Sequence, residues 1–422
     1  MKASVPQLIL DFEPPVGTRE DDASLQIFGS EQEYFAAARE QEGYKVKLPR
    51  PFQETALMDD GGWKQHPREA WGAKDLGERM WLNLPESVRD SILSGEPGNP
   101  QRVGIMSTHC GMDDVPWEWI TDGEQPIAAN DSVRFYRIVP ARYPAPPLRV
   151  SQPVRVLIVL SDPKGKEPIN PVVETDVITD GFKENSAFEF QVLLEASFES
   201  VTETLKAFSP HIIHYVGPAG VSGSMGNLLL HDRKGTRWVS AAECARFLPS
   251  SVRLLCLSTC VTGKSYEIGG LSKFAHCTPE VSLPTTLVNQ YALQENSART
   301  FWRQFYPALV EFKGDAVESL HKARMAVFVE EKETWCWASF SMIVRDGSGQ
   351  CFQIGEAKSR SAEQYSKDLQ AQWAARAANT LATRMRSLGP DNQSHWQSTL
   401  DDEVERAQTL ESQLDSEEES RT

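Results

Sequence analysis

The sequence predicts an α/β fold: helices around a mostly parallel central sheet, with a β-rich N-terminal half and a C-terminal helical extension. Three continuous apolar runs support the sheet, namely VRVLIVLS from Val154, HIIHYVG from His211 and VRLLCLSTC from Val252. Continuous runs rich in β-branched residues are typical of strands that are buried on both faces. Helical patterns separate the runs, and this alternation favours a parallel sheet.

The N-terminal half is expected to contain several short strands and two helical stretches. Its strands are predicted at QLILDF, SLQIF, YKVKL, RVGIMSTH and SVRFYRIV, and its helices near Glu31–Glu40 and at Asp75–Leu93. The proline-rich segment Pro140–Pro153 reads as a connector. These features predict three parts: a β-rich half over residues 1–147, an α/β core over 148–352 and an extension over 353–422.

The core is predicted to alternate helices with its buried strands. Its helices are expected around Phe188–Phe208, Ser240–Phe247, Ser297–Phe312 and Asp315–Val329, a weaker strand at Thr286–Tyr291 and a last strand at Trp335–Val344.

The extension has apolar residues nearly every four positions between residues 362 and 388, which predicts a long amphipathic helix. They are Tyr365, Leu369, Trp373, Ala377, Leu381 and Met385. The stripe either packs on the protein's own surface or docks a partner or a second copy, and both interpretations stay open. The last two dozen residues carry nine acidic residues against two arginines, which is typical of a solvated tail or a partner-binding segment.

Composition excludes several classes of function. The net charge of −16 argues against direct binding of nucleic acid, because phosphate contacts need clustered Lys and Arg. No apolar run reaches the length of a membrane helix, about eighteen residues, and the acidic, proline-bearing N-terminus is unlike a signal peptide. The seven cysteines form no CxxC pair and no metal-ligand spacing. We therefore expect a cytoplasmic protein without metal or cofactor.

Cys260 is the candidate nucleophile. It ends the third buried strand and is followed by Val-Thr-Gly, so we expect it at the carboxyl edge of the sheet. The second strand ends nearby in a glycine-bearing loop that begins at Gly217, whose backbone amides are candidates for an oxyanion hole. A nucleophilic thiol also needs a base or a positive dipole. On position alone, a buried core cysteine is the slightly favoured alternative.

These two segments resemble the signature of the CHAT domain, a family of the caspase- and separase-like cysteine peptidases. In that family one strand ends in His-x-x-Gly-His-Gly and a later strand ends in Ser-Ala-Cys-x-Thr-Gly. The later motif is matched here by Ser258-Thr259-Cys260-Val261-Thr262-Gly263. The segment Val115–Trp119 resembles the family's Leu-Pro-Trp-Glu segment. The resemblance covers roughly residues 70–346 and implies a caspase-like sandwich of helices around the sheet.

The resemblance implies that Cys260 is the nucleophile and that the second histidine of the first motif is the general base. The first motif here is His214-Tyr215-Val216-Gly217-Pro218-Ala219, so the base falls on Pro218 or Ala219. Neither side chain accepts a proton. His214 is the candidate base that remains, although it lies about two pleats back along the strand, roughly 13 Å in an extended chain. No motif supports His211, His231 or His276.

Two functions follow as hypotheses. The first is a degenerate peptidase that serves as a protein-interaction or regulatory module, such as the family supplies in bacterial defence and regulated death. The second is an active cysteine endopeptidase with Cys260 as nucleophile, switched on by a partner. Both imply a protein partner or a protein substrate, and the 362–388 helix is a candidate for oligomer or complex formation.

Overall fold

The computed structural model describes residues 7–13, 22–28, 44–47, 58–59, 62–63, 70–106, 115–139, 146–161, 171–182, 185, 187–194, 196–222, 225–232, 235–258, 274, 283, 285–290, 295–331, 335–345, 349–355, 404–405 and 409. The predicted helices near Glu31–Glu40 and over 362–388, the acidic tail apart from three residues, and Cys260 lie outside these ranges.

In the described ranges before Pro140, the chain forms seven strands and two α-helices. The strands β1–β7 are Gln7–Glu13, Asp22–Phe28, Tyr44–Lys47, Met58–Asp59, Gly62–Trp63, Gln101–Met106 and Val133–Ile138. The helices are α1 (Ala70–Asn83) and α2 (Glu86–Ile92). The sequence predicted one helix over Asp75–Leu93, and this was wrong. Pro85 is the N-cap of α2, and because proline lacks an N–H and clashes with the preceding turn, the helix divides there.

In the described ranges after Pro140, the chain forms eleven strands and five α-helices. The first of these strands lies within Pro140–Pro153 and pairs with the last one, so the predicted connector is in part a strand. The strands β8–β18 are Leu148–Ser151, Val154–Leu160, Phe188–Leu193, Ile212–Val216, Ala219–Ser222, Met225–Asp232, Gly235–Ser240, Leu254–Ser258, Thr285–Asn289, Phe340–Val344 and Phe352–Gly355. The helices α3–α7 are Pro171–Thr179, Phe198–Phe208, Ala241–Phe247, Glu295–Glu311 and Ala316–Glu330.

One eleven-stranded sheet contains strands from both halves of the chain, in the order β10-β9-β11-β15-β16-β17-β7-β6-β1-β2-β3. The strands β9, β11, β15 and β16 are parallel to one another, and β17 is antiparallel to β16. The strands β7, β6 and β1 continue parallel to β17. Most neighbouring pairs are therefore parallel, which confirms the predicted fold class.

Two further predicted elements need correction. The helix expected around Phe188–Phe208 begins only at Phe198, because Phe188–Leu193 is the strand β10, paired in parallel with β9. The chain turns into the helix at Ser197, whose hydroxyl accepts the Ser200 N–H in a capping box. The last strand, expected over Trp335–Val344, starts at Phe340 and follows a 3₁₀ turn.

Helices cover both faces of the core sheet. On one face α3, α6 and α7 pack in a cluster that continues into α1 and α2. On the other face α4, α5 and the small sheet β12-β13-β14 form a second cluster. A cavity of about 40 Å³ lies in this second cluster. Its lining is apolar and consists of Val159, Val201, Leu205, Ile213, Tyr215, Leu228, Leu230, Val239, Cys244, Phe247, Leu248, Leu255 and Phe274.

A glycine allows α1 to lie close to the Trp117–Trp119 3₁₀ turn. A Cβ atom built on Gly77 would collide with the backbone carbonyl of Trp119. The Thr121 N–H donates to the Gly77 carbonyl at 3.4 Å, so the two backbones are in direct contact. Any larger residue at position 77 has to push the helix away from the turn.

Candidate functional site

The candidate site lies at the carboxyl edge of the core sheet, where β9, β11, β15 and β16 end. Val216 is in register with Leu160 on one side and with Ser258 on the other. The Gly217 N–H donates to the Ser258 carbonyl at 3.3 Å. The two motif segments therefore end side by side, as the sequence predicted. Cys260, two residues after Ser258, lies outside the described residues.

Gly217 sits where no side chain fits. A Cβ atom at this position would lie 2.6 Å from the Tyr215 hydroxyl and 2.9 Å from the Ser161 carbonyl oxygen. The glycine is therefore required by the close approach of these groups. Its own N–H is engaged by Ser258, so the oxyanion-hole role stays a prediction about the surrounding loop.

His214 is completely buried in the middle of this edge region. Its Nδ1 lies 2.7 Å from the Tyr306 hydroxyl, and its Nε2 lies 3.0 Å from the Ser258 hydroxyl. The ring of Trp302 packs against it, with the ring centroids 4.4 Å apart. Burial lowers the pKa of His214 to about 3, because the charged imidazolium would lose its hydration. The ring is therefore neutral at pH 7 and already bonded through both nitrogens.

The surroundings of His214 form a buried polar cluster under α6. His214 is in register with Cys256, and Tyr306 makes a hydrogen bond with the Cys256 thiol. Burial raises the pKa of the Cys256 thiol and that of the Tyr306 hydroxyl, so both stay protonated. Cys256 is thus an inert core thiol rather than a second nucleophile.

Pro218 and Ala219, where the resemblance places the base, belong to packed structure. The Pro218 carbonyl accepts the Leu229 N–H at 3.0 Å and the Tyr215 hydroxyl at 2.8 Å. Ala219 is buried and begins β12, where it pairs with Leu228 of β13. The chain therefore passes directly from the end of β11 into the three-stranded sheet.

The other described histidines have structural partners away from this edge. His211 lies before β11, and its Nδ1 accepts the Arg155 N–H at 3.0 Å. The His231 backbone N–H donates to the Ala196 carbonyl at 2.9 Å. His321, on α7, has its pKa lowered to about 4 by burial, and its Nε2 is 3.4 Å from Asp131. Of the four histidines in the described ranges, only His214 lies in a strand that ends at the candidate site. His276 is outside these ranges.

A buried charge cluster joins the two halves of the chain beside the end of β16. Glu118 accepts two hydrogen bonds from Arg137, at 3.1 and 2.8 Å, and one from Ser341 at 2.5 Å. Arg324 lies 4.0 Å from the same carboxylate. Arg137 and Arg324 lower the pKa of Glu118 against the opposing effect of burial, which is the larger single influence. Gln290, directly after β16, reaches this carboxylate at 3.4 Å.

Sequence reasoning located the strand ends but missed the partners of His214. Tyr306 and Trp302 lie on α6, far from both motifs in the chain, and read as ordinary members of an apolar helix face. Ser258 is part of the quoted cysteine motif, yet no local pattern indicates that its hydroxyl bonds to a histidine of the neighbouring strand. Glu118 lies in the segment that resembles Leu-Pro-Trp-Glu, and no local pattern indicates its buried bonds to Arg137 and Ser341.

Metal and membrane features are absent from the described part of the chain. Within it, no three His, Cys, Asp or Glu side chains form a group that can hold a metal ion. No helix in these ranges has the length and apolar character that a membrane crossing requires.

Comparisons with known proteins give one family and distant structural likenesses. Two structures of the Saccharomyces cerevisiae separase–securin complex match with 11% identity and TM-scores of 0.33 and 0.34. They cover 58% and 61% of this chain, which spans only 15% and 16% of the separase chains. An F420-dependent methylene-tetrahydromethanopterin dehydrogenase matches with 10% identity and a TM-score of 0.21, over 65% of this chain and 91% of that one.

A search of curated proteins gave no match. The family profile of the CHAT domain matches residues 74–346, which is more than half of the chain. The chain therefore belongs to the CHAT domain family.

Proposed function

We propose that this chain is a degenerate cysteine peptidase that acts as a protein-interaction or regulatory module in a bacterial defence or regulated-death system. The observation that supports this most strongly is the state of His214. It is fully buried, its pKa is lowered to about 3, and both ring nitrogens have partners. A histidine in this state does not accept a proton from a thiol at neutral pH.

Peptide-bond cleavage by a thiol needs two proton transfers. A base removes the thiol proton, and an acid then protonates the leaving amine. The family's base position carries Pro218 or Ala219, which do neither. Loss of a general base costs a factor of about 100 to 10,000 in rate, so efficient turnover is not expected from the chain alone.

A second candidate is an endopeptidase that uses Cys260 and receives its base from a partner. The paired ends of β11 and β15 favour it, because the scaffold that precedes the nucleophile is intact up to Gly217 and Ser258. In both versions we propose a cytoplasmic protein with a protein partner or protein substrate and no nucleic-acid partner. The 362–388 segment is the proposed docking or oligomerising helix.

A cleavage assay separates the two candidates. Wild type, Cys260→Ala and the control Cys277→Ala are incubated with a peptide library and with extract of the native host, and new peptide termini are identified by mass spectrometry. We expect no cleavage that depends on Cys260, and we expect Cys260→Ala to capture the same partners as wild type. Cleavage that disappears in Cys260→Ala but persists in Cys277→Ala would overturn the proposal and establish the endopeptidase.

Restoring the base tests the missing chemistry directly. Pro218→His returns an imidazole to the motif position, and Pro218→Phe is the matched control with similar bulk and no proton acceptor. We expect Pro218→His to raise the alkylation rate of Cys260 at pH 7 about tenfold, through a lower thiol pKa. Equal rates in the two variants would show that position 218 does not face the thiol.

A further inference from the structure

The strand β10 ends the eleven-stranded sheet on one side, and β9 is its neighbour. Among the residues that the structure describes, no strand pairs with its other side. The middle of β10, residues 189–191, is exposed to solvent, and the exposed fraction of Phe190 is 38%. Leu194, directly after the strand, is 54% exposed. The sheet therefore ends in an accessible edge with apolar side chains, and such edges pair readily with a further strand.

The backbone groups of alternate residues in β10 point away from β9. The Ala187 carbonyl accepts the Val154 N–H at 2.7 Å, so this odd-numbered residue faces β9. Backbone directions alternate along a strand, and the odd-numbered residues of β10 therefore face β9 while the even-numbered ones face outward. The Phe188 N–H agrees with this alternation, because it donates to the Asn185 carbonyl at 3.0 Å and not to β9.

A second copy of β10 fits these outward groups in an antiparallel register centred on Phe190. In a twofold pair of this kind residue 190 meets itself, and residue 188 meets residue 192 of the other copy. The two Phe190 residues then exchange N–H to carbonyl bonds, and each Val192 N–H donates to the Phe188 carbonyl of the other copy. The Phe188 N–H keeps its present acceptor, so every group in this register has a use.

Other registers of the same pairing fit less well. Centring on Phe188 requires its N–H, which Asn185 already engages. Centring on Val192 pairs only residues 191–193 of the strand, whereas centring on Phe190 pairs residues 188–192. Centring on an odd-numbered residue would require backbone groups that face β9.

The side chains agree with the same register on both faces of the sheet. On one face each Phe190 meets its own copy, and its ring is already oriented by Phe182, with the ring centroids 5.6 Å apart. On the other face each Glu189 lies opposite Gln191 of the second copy. The amide of Gln191 can donate to that carboxylate, and no acidic residue opposes another within the paired residues.

We propose that β10 is a dimerisation edge, at which two copies of this chain join their central sheets by antiparallel pairing about Phe190. The strands β9, β10 and β11 are parallel to one another, so this pairing points the carboxyl edges of the two sheets in opposite directions. The two candidate sites then lie at opposite edges of the joined sheet. No residue of the candidate site takes part in the pairing, which is therefore independent of the proposed function.

The test is the monomer–dimer equilibrium of the full chain, measured by sedimentation velocity over a series of protein concentrations. Phe190→Pro removes the outward N–H and leaves the bonds to β9 in place, a position that an edge strand tolerates. Phe190→Val is the matched control, because it also loses the ring but keeps the N–H. We expect wild type to dimerise, and we expect the dissociation constant of Phe190→Pro to exceed that of Phe190→Val about five- to hundredfold, since two hydrogen bonds are lost per dimer.

The charge pair tests the register itself. Gln191→Glu sets an acid opposite Glu189 at two places in the dimer and should raise the dissociation constant about two- to thirtyfold. The exchange variant Glu189→Gln/Gln191→Glu again sets an amide opposite each acid and should return to within about twofold of wild type. Urea unfolding of each variant at low protein concentration checks that the monomer is folded.

A wild type that stays monomeric up to its highest soluble concentration would overturn the proposal. So would a dimer that responds neither to Phe190→Pro nor to Gln191→Glu, which would place the contact elsewhere, for example in the 362–388 segment. Weakening by Gln191→Glu without rescue in the exchange variant would also overturn it. If Phe190→Pro does not fold, the two charge variants decide the question.

Discussion

Acid should destabilise the protein through His214, and His214→Gln should remove that sensitivity. The pKa of His214 is about 3 in the folded protein, against the ordinary histidine pKa of 6.5 in the unfolded chain. Between pH 3 and pH 6.5 the unfolded chain therefore binds a proton that the folded chain does not. The stability that depends on a neutral His214 is therefore fully present above pH 6.5 and is lost as the pH falls toward 3. Each unit by which the pH falls inside this window lowers the free energy of unfolding by about 1.4 kcal/mol.

At pH 5, which is 1.5 units below the ordinary pKa of histidine, protonation of His214 in the unfolded chain lowers the free energy of unfolding by about 2 kcal/mol relative to pH 7. His214 is fully buried, so solvent screening does not reduce this figure. Urea unfolding of wild type and His214→Gln at pH 7 and pH 5 measures the difference. The variant should be less stable at pH 7, because it loses the Tyr306 bond, but its stability should fall by about 2 kcal/mol less on acidification.

His321 also has a lowered pKa, about 4, but it is present in both proteins and cancels in the comparison. The double variant His214→Gln/His321→Gln should flatten the acid response further. The same loss of stability between pH 7 and pH 5 in wild type and His214→Gln would refute the reasoning, since it would mean that His214 titrates normally in the folded protein.

Three further predictions concern packing, and all are measured by urea unfolding at pH 7. Glu118→Ala removes the counter-charge of the buried Arg137 and Arg324 and should lower the free energy of unfolding by about 3–5 kcal/mol. The control Glu124→Ala removes an exposed carboxylate and should lower it by less than about 0.5 kcal/mol. A loss below about 1 kcal/mol for Glu118→Ala would contradict the role of that cluster. Gly77→Ala should cost about 1–3 kcal/mol because its methyl group meets the 3₁₀ turn, while Gly98→Ala, with nothing within 4 Å, should be neutral. Equal effects of the two would contradict the close approach. Val239→Ile fills part of the 40 Å³ cavity and should stabilise by up to about 1 kcal/mol, and a clear loss would show that the cavity has no usable room.

The sequence was a good guide to elements that are buried on all sides. VRVLIVLS, HIIHYVG and VRLLCLSTC became β9, β11 and β15, because strands covered on both faces are apolar at almost every position and are easily recognised. The edge strand β10 was predicted as a helix. Phe188 is buried while Glu189 and Gln191 are exposed, and this short mixed pattern fits either element until its partner strand is known.

The order of strands across the two halves was not predictable from local patterns. The parallel pairing of β7 with β17 joins residues about two hundred positions apart, and pattern analysis reports only nearby periodicity. The same limit applies to the site. Motif spacing placed the ends of β11 and β15 together, but the hydroxyl that holds His214 comes from Tyr306 on a helix after both motifs.

The pairing of β17 with β7 is short: only Ile343 with Arg137 and Val344 with Ile138 are in register, and the Val139 N–H adds one bond to the Val344 carbonyl at 2.8 Å. Between separate chains, such a brief contact would be in equilibrium with its dissociated parts and would be lost on dilution. Here both strands belong to one polypeptide, so each meets the other at an effective concentration on the order of millimolar, whatever the protein concentration. Any separation of these two strands would therefore be unimolecular, and its equilibrium would not depend on the protein concentration.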